Sequence, residues 1–409
     1  MLANSLGNRI RTRRNELGYK QAEICRRMGF EGSRTLSAIE TGERKVSAEE
    51  LVRLTEVLEA PLEYFTDPFR LVGEGSFTWR QNGVAQEVIE NCERQVGGLV
   101  ALFRELGAES GRLPPVLRRS HEFSKSSNIM DAAFAGEKFA HDCGLVVEQT
   151  RDERLGGQNM QAHGDVQARE SAKFVRELSL DFFESNEYSE RRLRNVMERD
   201  LGILVLMIDG FPGICSAACR LDDLNSVIIN RNQPSKSRNY ELAHQLFHIL
   251  TWDALPPERI EHTTNQNEGL EDQLARSFAT RLLMSTGSVE WFRDWQGMPS
   301  EVEIIEPYME GNTLRVASRE QALGVVDEGM ISNTDKTFLS FGISGINERQ
   351  NAEDLNAPPL FSRPFLELLA ESINRGRISI RRAARLLEFT VDDLPNAFHA
   401  YDVEFQLGI

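Results

Sequence analysis

Two histidines stand four residues apart in the apolar run NYELAHQLFHILTW, residues 239–252. If that run is helical, His244 and His248 project from one face, a turn apart. Two imidazoles so placed can share one zinc ion. Zinc lowers the pKa of a bound water to roughly 7, and a carboxylate beside the first histidine could take that water's proton. Gln245 occupies that place. Its neutral amide has no basic oxygen at working pH. The run therefore offers a metal site and withholds the proton acceptor of a hydrolytic reaction. The competing reading is a structural histidine pair without metal. Against it stand the scarcity of histidine, seven in the chain, and the acidic residues of the helix that follows. Cys215 and Cys219 form a C-x₃-C pair with no second pair, and they read as strand residues rather than ligands. His262 lies in a polar connector and His121, His141 and His163 stand alone, so none is assigned chemistry.

The elements that must position the pair are legible around it. Residues 168–187 and 189–201 predict helices, and ILVLMI at 203–208 is a short buried-strand pattern. ICSAACRL (214–221) and SVIIN (226–230) predict two further strands of a small antiparallel sheet. A second helix, EDQLARSFATRLLM, follows the histidines, with Leu274, Phe278, Leu282 and Leu283 on one face. Helices, a small sheet, a metal helix and a second helix make an α+β arrangement.

Bulk properties bound the rest. At 409 residues two to three domains are expected. No apolar run approaches the ~18 residues of a membrane span, the start MLANSLGNRIRTRR lacks an apolar signal core, and the five scattered cysteines fit a reducing compartment. A cytoplasmic protein, nucleoid-associated when bound to DNA, is the expectation. The net charge of −16 argues against wholesale nucleic-acid binding, but it is uneven. Residues 1–66 carry 11 Lys+Arg against 10 Asp+Glu, and seven of those 11 precede residue 28. A locally basic face on an acidic protein suits one DNA-reading module.

Residues 1–66 predict five short helices. Leu6, Ile10 and Leu17 stripe the first, closed by Gly18; Ala22, Ile24, Cys25 and Met28 face inward on the second, closed by Gly29. Leu36 and Ile39 anchor the third. Ser47 with Glu50 predicts a capping box opening the fourth, striped by Leu51, Leu54 and Leu58, and Pro61 opens a last turn with Leu62 and Phe65. A tight turn between the second and third helices reads as helix-turn-helix. The blocks R-x-R-R-x-E-L-G, Q-A-E-I and T-L-S-A-I-E-x-G-E-R resemble the Cro and lambda-repressor (XRE) family of bacterial regulators across residues 6–66, with the turn GFEGS one residue longer than usual. That resemblance implies double-stranded operator DNA as partner. It puts Gln21 at a phosphate, Ser33, Arg34, Thr35 and Ser37 at base edges, and Arg44 and Lys45 at the backbone. It also implies a homodimer on a near-palindromic site.

A second resemblance covers about 170–290. NSVIINRN, R-x-x-x-L-A-H-Q-L-F-H-I-L and E-D-x-x-A-x-x-F-A-x-x-L-L-M resemble the ImmA/IrrE zinc metallopeptidases, whose pattern has A-H-E-x-x-H and a later acidic ligand. The chain resembles the subgroup carrying this peptidase behind an XRE domain. By position His244 and His248 are then metal ligands for zinc, with manganese as an alternative. Asp272 stands where the family usually has glutamate, and Glu271 and Glu268 are alternatives. Gln245 stands where the family's general-base glutamate belongs, so the chain reads as a zinc metalloendopeptidase by family that barely cleaves. Either it is a natural pseudo-peptidase, or the glutamine was introduced to keep the protein intact. The implied role is a regulator controlling a promoter through cleavage of itself or of a partner helix-turn-helix repressor, in a stress, DNA-damage or phage-related response. Single-stranded DNA is one candidate signal. The alternative is a non-enzymatic ligand-responsive regulator using the zinc-site cleft as sensor.

The domain reading is therefore 1–66 DNA reader, 67–168 linker and helical spacer, 169–290 metallopeptidase-like domain, and 291–409 a mostly helical sensing or oligomerisation domain. Residues 67–80 and 150–166 read as linkers, 84–106 and 127–143 as helices. In the last region Trp291, Phe292 and Trp295 form an aromatic cluster, 314–329 reads as helical, and 365–373 and 378–389 as amphipathic helices. Arg375, Arg377, Arg381, Arg382 and Arg385 make a basic patch, read as a solvated or packing face.

Overall fold

The computed structural model describes residues 2–113, 123–124, 126–143, 145, 190–209, 212–233, 235–262, 269–283, 304–310, 313–318, 358 and 360–405. The expected loop at 150–166, the helix at 168–187 and the aromatic cluster at 291–295 lie outside them.

Five helices build the first domain: α1 (Leu2–Glu16), α2 (Gln21–Met28), α3 (Ser33–Glu40), α4 (Ala48–Val57) and α5 (Leu62–Thr66). The expected stripes form its core, with Ile10, Ile24, Met28, Leu36, Ile39, Leu54, Leu58 and Phe65 buried. Ala22, expected inside, is exposed, and so is Leu62 of the last turn. Gly29 closes α2 at φ +73. The capping box at Ser47 is present: Glu50 N–H donates to Ser47 Oγ at 3.1 Å and Ser47 N–H to Glu50 Oε2 at 2.9 Å. α1 and α3 touch at Gly7, where a Cβ would lie 2.4 Å from the Ile39 carbonyl oxygen.

The stretch expected as linker contains β1 (Ser76–Gln81). SFTWRQ alternates, putting Phe77 and Trp79 on one face and Thr78 and Arg80 on the other. α6 (Gln86–Ser110) and α7 (Ile129–Asp142) follow. α6 runs past Gly107, which packs against Leu113, and ends at Gly111 with φ +68. A π-helical turn at Val196–Asp200 leads into β2 (Ile203–Ile208), β3 (Ile214–Arg220) and β4 (Asn225–Asn230). Then come α8 (Ser235–Thr251), β5 (Ile260–His262) and α9 (Leu270–Leu283).

The sheet is mixed rather than antiparallel, in the order β2-β4-β3-β1-β5, with β2 parallel to β4 and β1 parallel to β5. Because side chains alternate across a strand, each face gathers its own core. Phe77, Trp79, Leu204, Leu206, Ala217 and Ile228 pack on one side, with α6 and the last three helices: α10 (Arg363–Asn374), α11 (Ile380–Leu387) and α12 (Asp393–Ala400). Ile203, Val205, Met207, Ala218, Val227 and Ile229 pack on the other, with α7, α8 and α9. The sheet thus draws on residues outside 169–290. Segments 67–110 and 360–405 are layers of its fold rather than a spacer and a separate domain. α7 meets α9 so closely that a Cβ on Gly136 would lie 2.3 Å from the Phe278 carbonyl oxygen.

The helix expected over 314–329 is overturned at its start. β6 (Ile304–Glu310) and β7 (Thr313–Ser318) pair antiparallel, as the β-branched alternation of TLRVAS favours. The first domain is pinned to the sheet body at 64–74. Arg9 of α1 donates to the carbonyls of Tyr64, Asp67 and Arg70 at 3.3, 2.7 and 2.6 Å. It also lies 3.5 Å from Glu74, which takes Arg104 of α6 at 2.6 Å. No helix among the described residues is long and apolar enough to cross a membrane.

Candidate metal centre

α8 lies against the sheet with His244, Gln245 and His248 fully buried. Opposite it the register aligns three side chains on one face, since Arg80 of β1 pairs with Ser216 of β3 and with Glu261 of β5. The two Nε2 atoms converge at 3.1 Å. Glu261 straddles them, Oε2 3.3 Å from His244 Nε2 and Oε1 2.9 Å from His248 Nε2. Asp272 of α9 places Oδ1 3.2 Å from His244 Nε2, and the same oxygen accepts from Arg80 Nη1 at 3.1 Å.

A hydrogen-bonded chain leads away from the metal-facing atoms. Gln245 Nε2 donates to Ser216 Oγ at 2.9 Å, Ser216 donates to Glu241, and Arg80 Nε donates to Glu241 Oε1 at 3.1 Å. Among the described residues, Gln245 Oε1, Glu261 Oε1 and the Nδ1 atoms of both histidines have no hydrogen-bond partner.

Two donors cannot face each other, so at most one Nε2 of the pair can carry its proton toward the other. Glu261 Oε1, close to His248 Nε2 but outside hydrogen-bonding geometry, points to the same shared space. Glu241, Glu261 and Asp272 are three buried carboxylates around the buried guanidinium of Arg80. Such a surplus of buried negative charge is costly unless a cation offsets it. Without a metal the compensation must come from protons. Burial and Arg80 push the His244 imidazole down, but Asp272 and Glu261 outweigh them and leave its pKa raised. Burial opposes ionisation of Glu261, yet His248 and His244 hold its carboxyl well below the usual range. A dication would do the same work with both imidazoles neutral. Ligand atoms around a tetrahedral zinc lie about 3.3 Å apart, and the three contacts here span 2.9–3.3 Å. The residues fit a zinc-sized ion, with His244, His248 and Glu261 offering ligand atoms within 4.8 Å of one another.

The DNA reader's expected residues are less uniform. Arg34 and Lys45 are exposed, and Thr35 and Ser37 are half-buried on α3, which Ser33 opens. Gln21 is partly taken, its amide donating to Glu40 at 2.8 Å. Arg44 is exposed but ion-paired with Glu50 at 2.7 Å and stacked over Phe30.

Residues 10–65 match a family described as helix-turn-helix, and residues 199–291 match the IrrE N-terminal-like domain. The chain joins a DNA-binding helix-turn-helix domain to a metallopeptidase-family domain. No curated protein and no solved structure matches it.

Against that family pattern, the IrrE-like domain keeps both histidines and carries Gln245 between them. Asp272 reaches His244, but it is not in the set of three, which Glu261 completes. Glu271 lies with its carboxylate over Gly269, and Glu268 is outside the described residues. Sequence reasoning missed Glu261, Glu241, Ser216 and Arg80. Their only signal was acidic or polar residues at buried strand and helix positions. Cys215 and Cys219 fit the strand reading. Burial pushes the Cys215 thiol up to about 12 and raises that of Cys219 further, which disfavours the thiolate a metal needs.

Proposed function

We propose that this chain is a regulator that binds double-stranded DNA, and that its IrrE-like domain holds a divalent metal, zinc before manganese, without appreciable peptide hydrolysis. The observation that carries this reading is Gln245. It sits one residue from a ligand histidine, fully buried, with its amide nitrogen donating to Ser216. Bound there, a zinc ion would polarise a carbonyl or acidify a water. The chain's own residues would hold and orient such a ligand, and Gln245, at the position of the family's general-base glutamate, cannot accept the proton. A general base contributes about 10²–10⁴-fold, so that is the deficit expected. Cutting itself or a partner helix-turn-helix repressor, the DNA-damage or phage-related outcome implied for active relatives, would need the carboxylate restored. Two copies on a near-palindromic duplex are the expected DNA-bound form.

The experiment uses the full chain loaded with zinc, with and without duplex fragments from its own promoter region and with single-stranded DNA. Intact mass is followed for the chain and for the Gln245→Glu variant. The expected result is retarded duplex, no cleavage by the unaltered chain, and cleavage by the variant. Unaltered protein that cuts as fast as the variant would remove the non-hydrolytic reading. Failure to bind any such duplex at moderate salt would remove the regulatory one.

A further inference from the structure

We propose that Glu261, on β5 in the connector between the two helices, is the third protein ligand of the metal centre, and that Asp272 serves to hold Arg80. This rests on the reading that the IrrE-like domain binds a metal. It assigns a ligand to a strand, thirteen positions after His248, where the resemblance placed it on α9.

Three independent features point the same way. The first is register. β5 runs parallel to β1 with Glu261 level with Arg80, itself level with Ser216. A strand places every second side chain on one face, so this row must face α8, and Glu261 is its member nearest the two histidines. The second is the division of the carboxylate, one oxygen to each imidazole at 3.3 and 2.9 Å. No other described carboxylate spans both nitrogens, and none joins them within 4.8 Å. The third is where Asp272 is spent. Its Oδ1 accepts from Arg80 at 3.1 Å, so the oxygen nearest His244 is shared with a buried guanidinium. Arg80 in turn holds Glu241, which takes Ser216 and through it Gln245. Asp272 thereby shares with Glu241 a guanidinium buried beside the site.

Metal-stripped full-length protein is reloaded with zinc or cobalt(II). Bound metal is counted after gel filtration, affinity is read by competition with a chromophoric chelator, and cobalt geometry by visible absorbance. Glu261→Gln should lose stoichiometric metal and the cobalt bands. Glu261→Asp should regain part of both, which separates a ligand from a folding residue. Asp272→Asn should keep one metal and the cobalt spectrum, with affinity down by about the 10–100-fold typical of a partner outside the ligand set. The proposal is overturned if Glu261→Gln keeps the unaltered protein's stoichiometry and spectrum, or if Asp272→Asn alone loses them. In either case the metal domain stands and only the ligand is wrong. Unaltered protein that takes up neither ion overturns the metal reading as well.

Discussion

Glu40 at the end of α3 and Glu261 on β5 are both carboxylates buried beside polar partners, and the two neighbourhoods close differently. Glu40 is saturated. Arg14 reaches both oxygens at 2.6 and 3.1 Å, Arg11 lies at 3.5 Å, and Gln21 donates at 2.8 Å. Around Glu261, three carboxylates surround Arg80, two ring nitrogens face each other, and four polar atoms have no partner among the described residues. Buried polar groups in native proteins are satisfied almost without exception. A saturated network is therefore scaffolding, and one that closes only with an added cation marks a binding site. The Glu40 network is complete as folded, while the cluster around Glu261 leaves polar atoms that a bound cation would satisfy.

The comparison can be broken most forcefully at Glu40. Glu40→Ala strands Arg14, and removing one partner of a buried pair costs about 3–5 kcal/mol. Urea unfolding should show the first domain losing its own transition and duplex binding, with metal stoichiometry unchanged. Loss of both together would mean that the clamp through Arg9, Glu74 and Arg104 makes them one cooperative unit. Next in size is metal removal. A ligand held at a thousand times its Kd stabilises the folded state by ~4 kcal/mol, so a chelator should lower the melting of the sheet body by that equivalent. Duplex affinity should not move. A chelator effect confined to the DNA reader would reverse the assignment.

Smaller effects follow from close packing. In Gly136→Ala the new methyl would meet the Phe278 backbone oxygen, on the helix bearing Asp272. Overpacking costs about 1–3 kcal/mol. This loss should appear with its metal-loaded transition, whereas Gly7→Ala, which meets the Ile39 oxygen, should destabilise the reader alone. Equal effects of both variants on both transitions, measured by calorimetry, would count against separable regions.

The two regions also differed in how far the sequence disclosed them. The reader is built from local signals. Stripes at helical spacing, glycine stops and the Ser47–Glu50 box lie within a few residues of what they organise, and the misplaced residue, Ala22, sits in the first turn of α2. The histidine pair was equally local. The rest of the metal centre was not. Arg80, Ser216 and Glu261 come from three strands, and only the β3-β1-β5 order brings them level. β1 follows the reader by ten residues and joins a sheet whose other strands begin at residue 203. Between glycine-rich flanks it read as a linker because nothing nearby reveals its partners. The family resemblance, through its position six before Phe278, pointed to Asp272, which does reach His244. It could not show that Arg80 would arrive there first.

The smallest effect concerns a carboxyl outside both networks. Glu198, in the π-helical turn before β2, is pushed up to about 7 by burial, with Arg194 and the Ser362 hydroxyl opposing the shift. Its carboxyl is raised above the ordinary value of 4.5, so the folded state holds the proton more tightly than the unfolded chain. The stability this lends is full below pH 4.5 and is lost as pH rises through about 7. Between pH 6 and 8 the group is protonated about half the time on average in the folded state and almost never in the unfolded one. At ~1.4 kcal/mol per unit, the loss over that window is about 1.4 kcal/mol. Glu198→Gln carries no charge to bury. Relative to the unaltered protein it should gain that amount from pH 6 to pH 8 in denaturant melts of metal-loaded protein. Glu198 lies outside the first domain, so reader unfolding in the same samples is the internal control. A flat difference between variant and parent would show that Glu198 is ionised at pH 6 and that Arg194 offsets its burial.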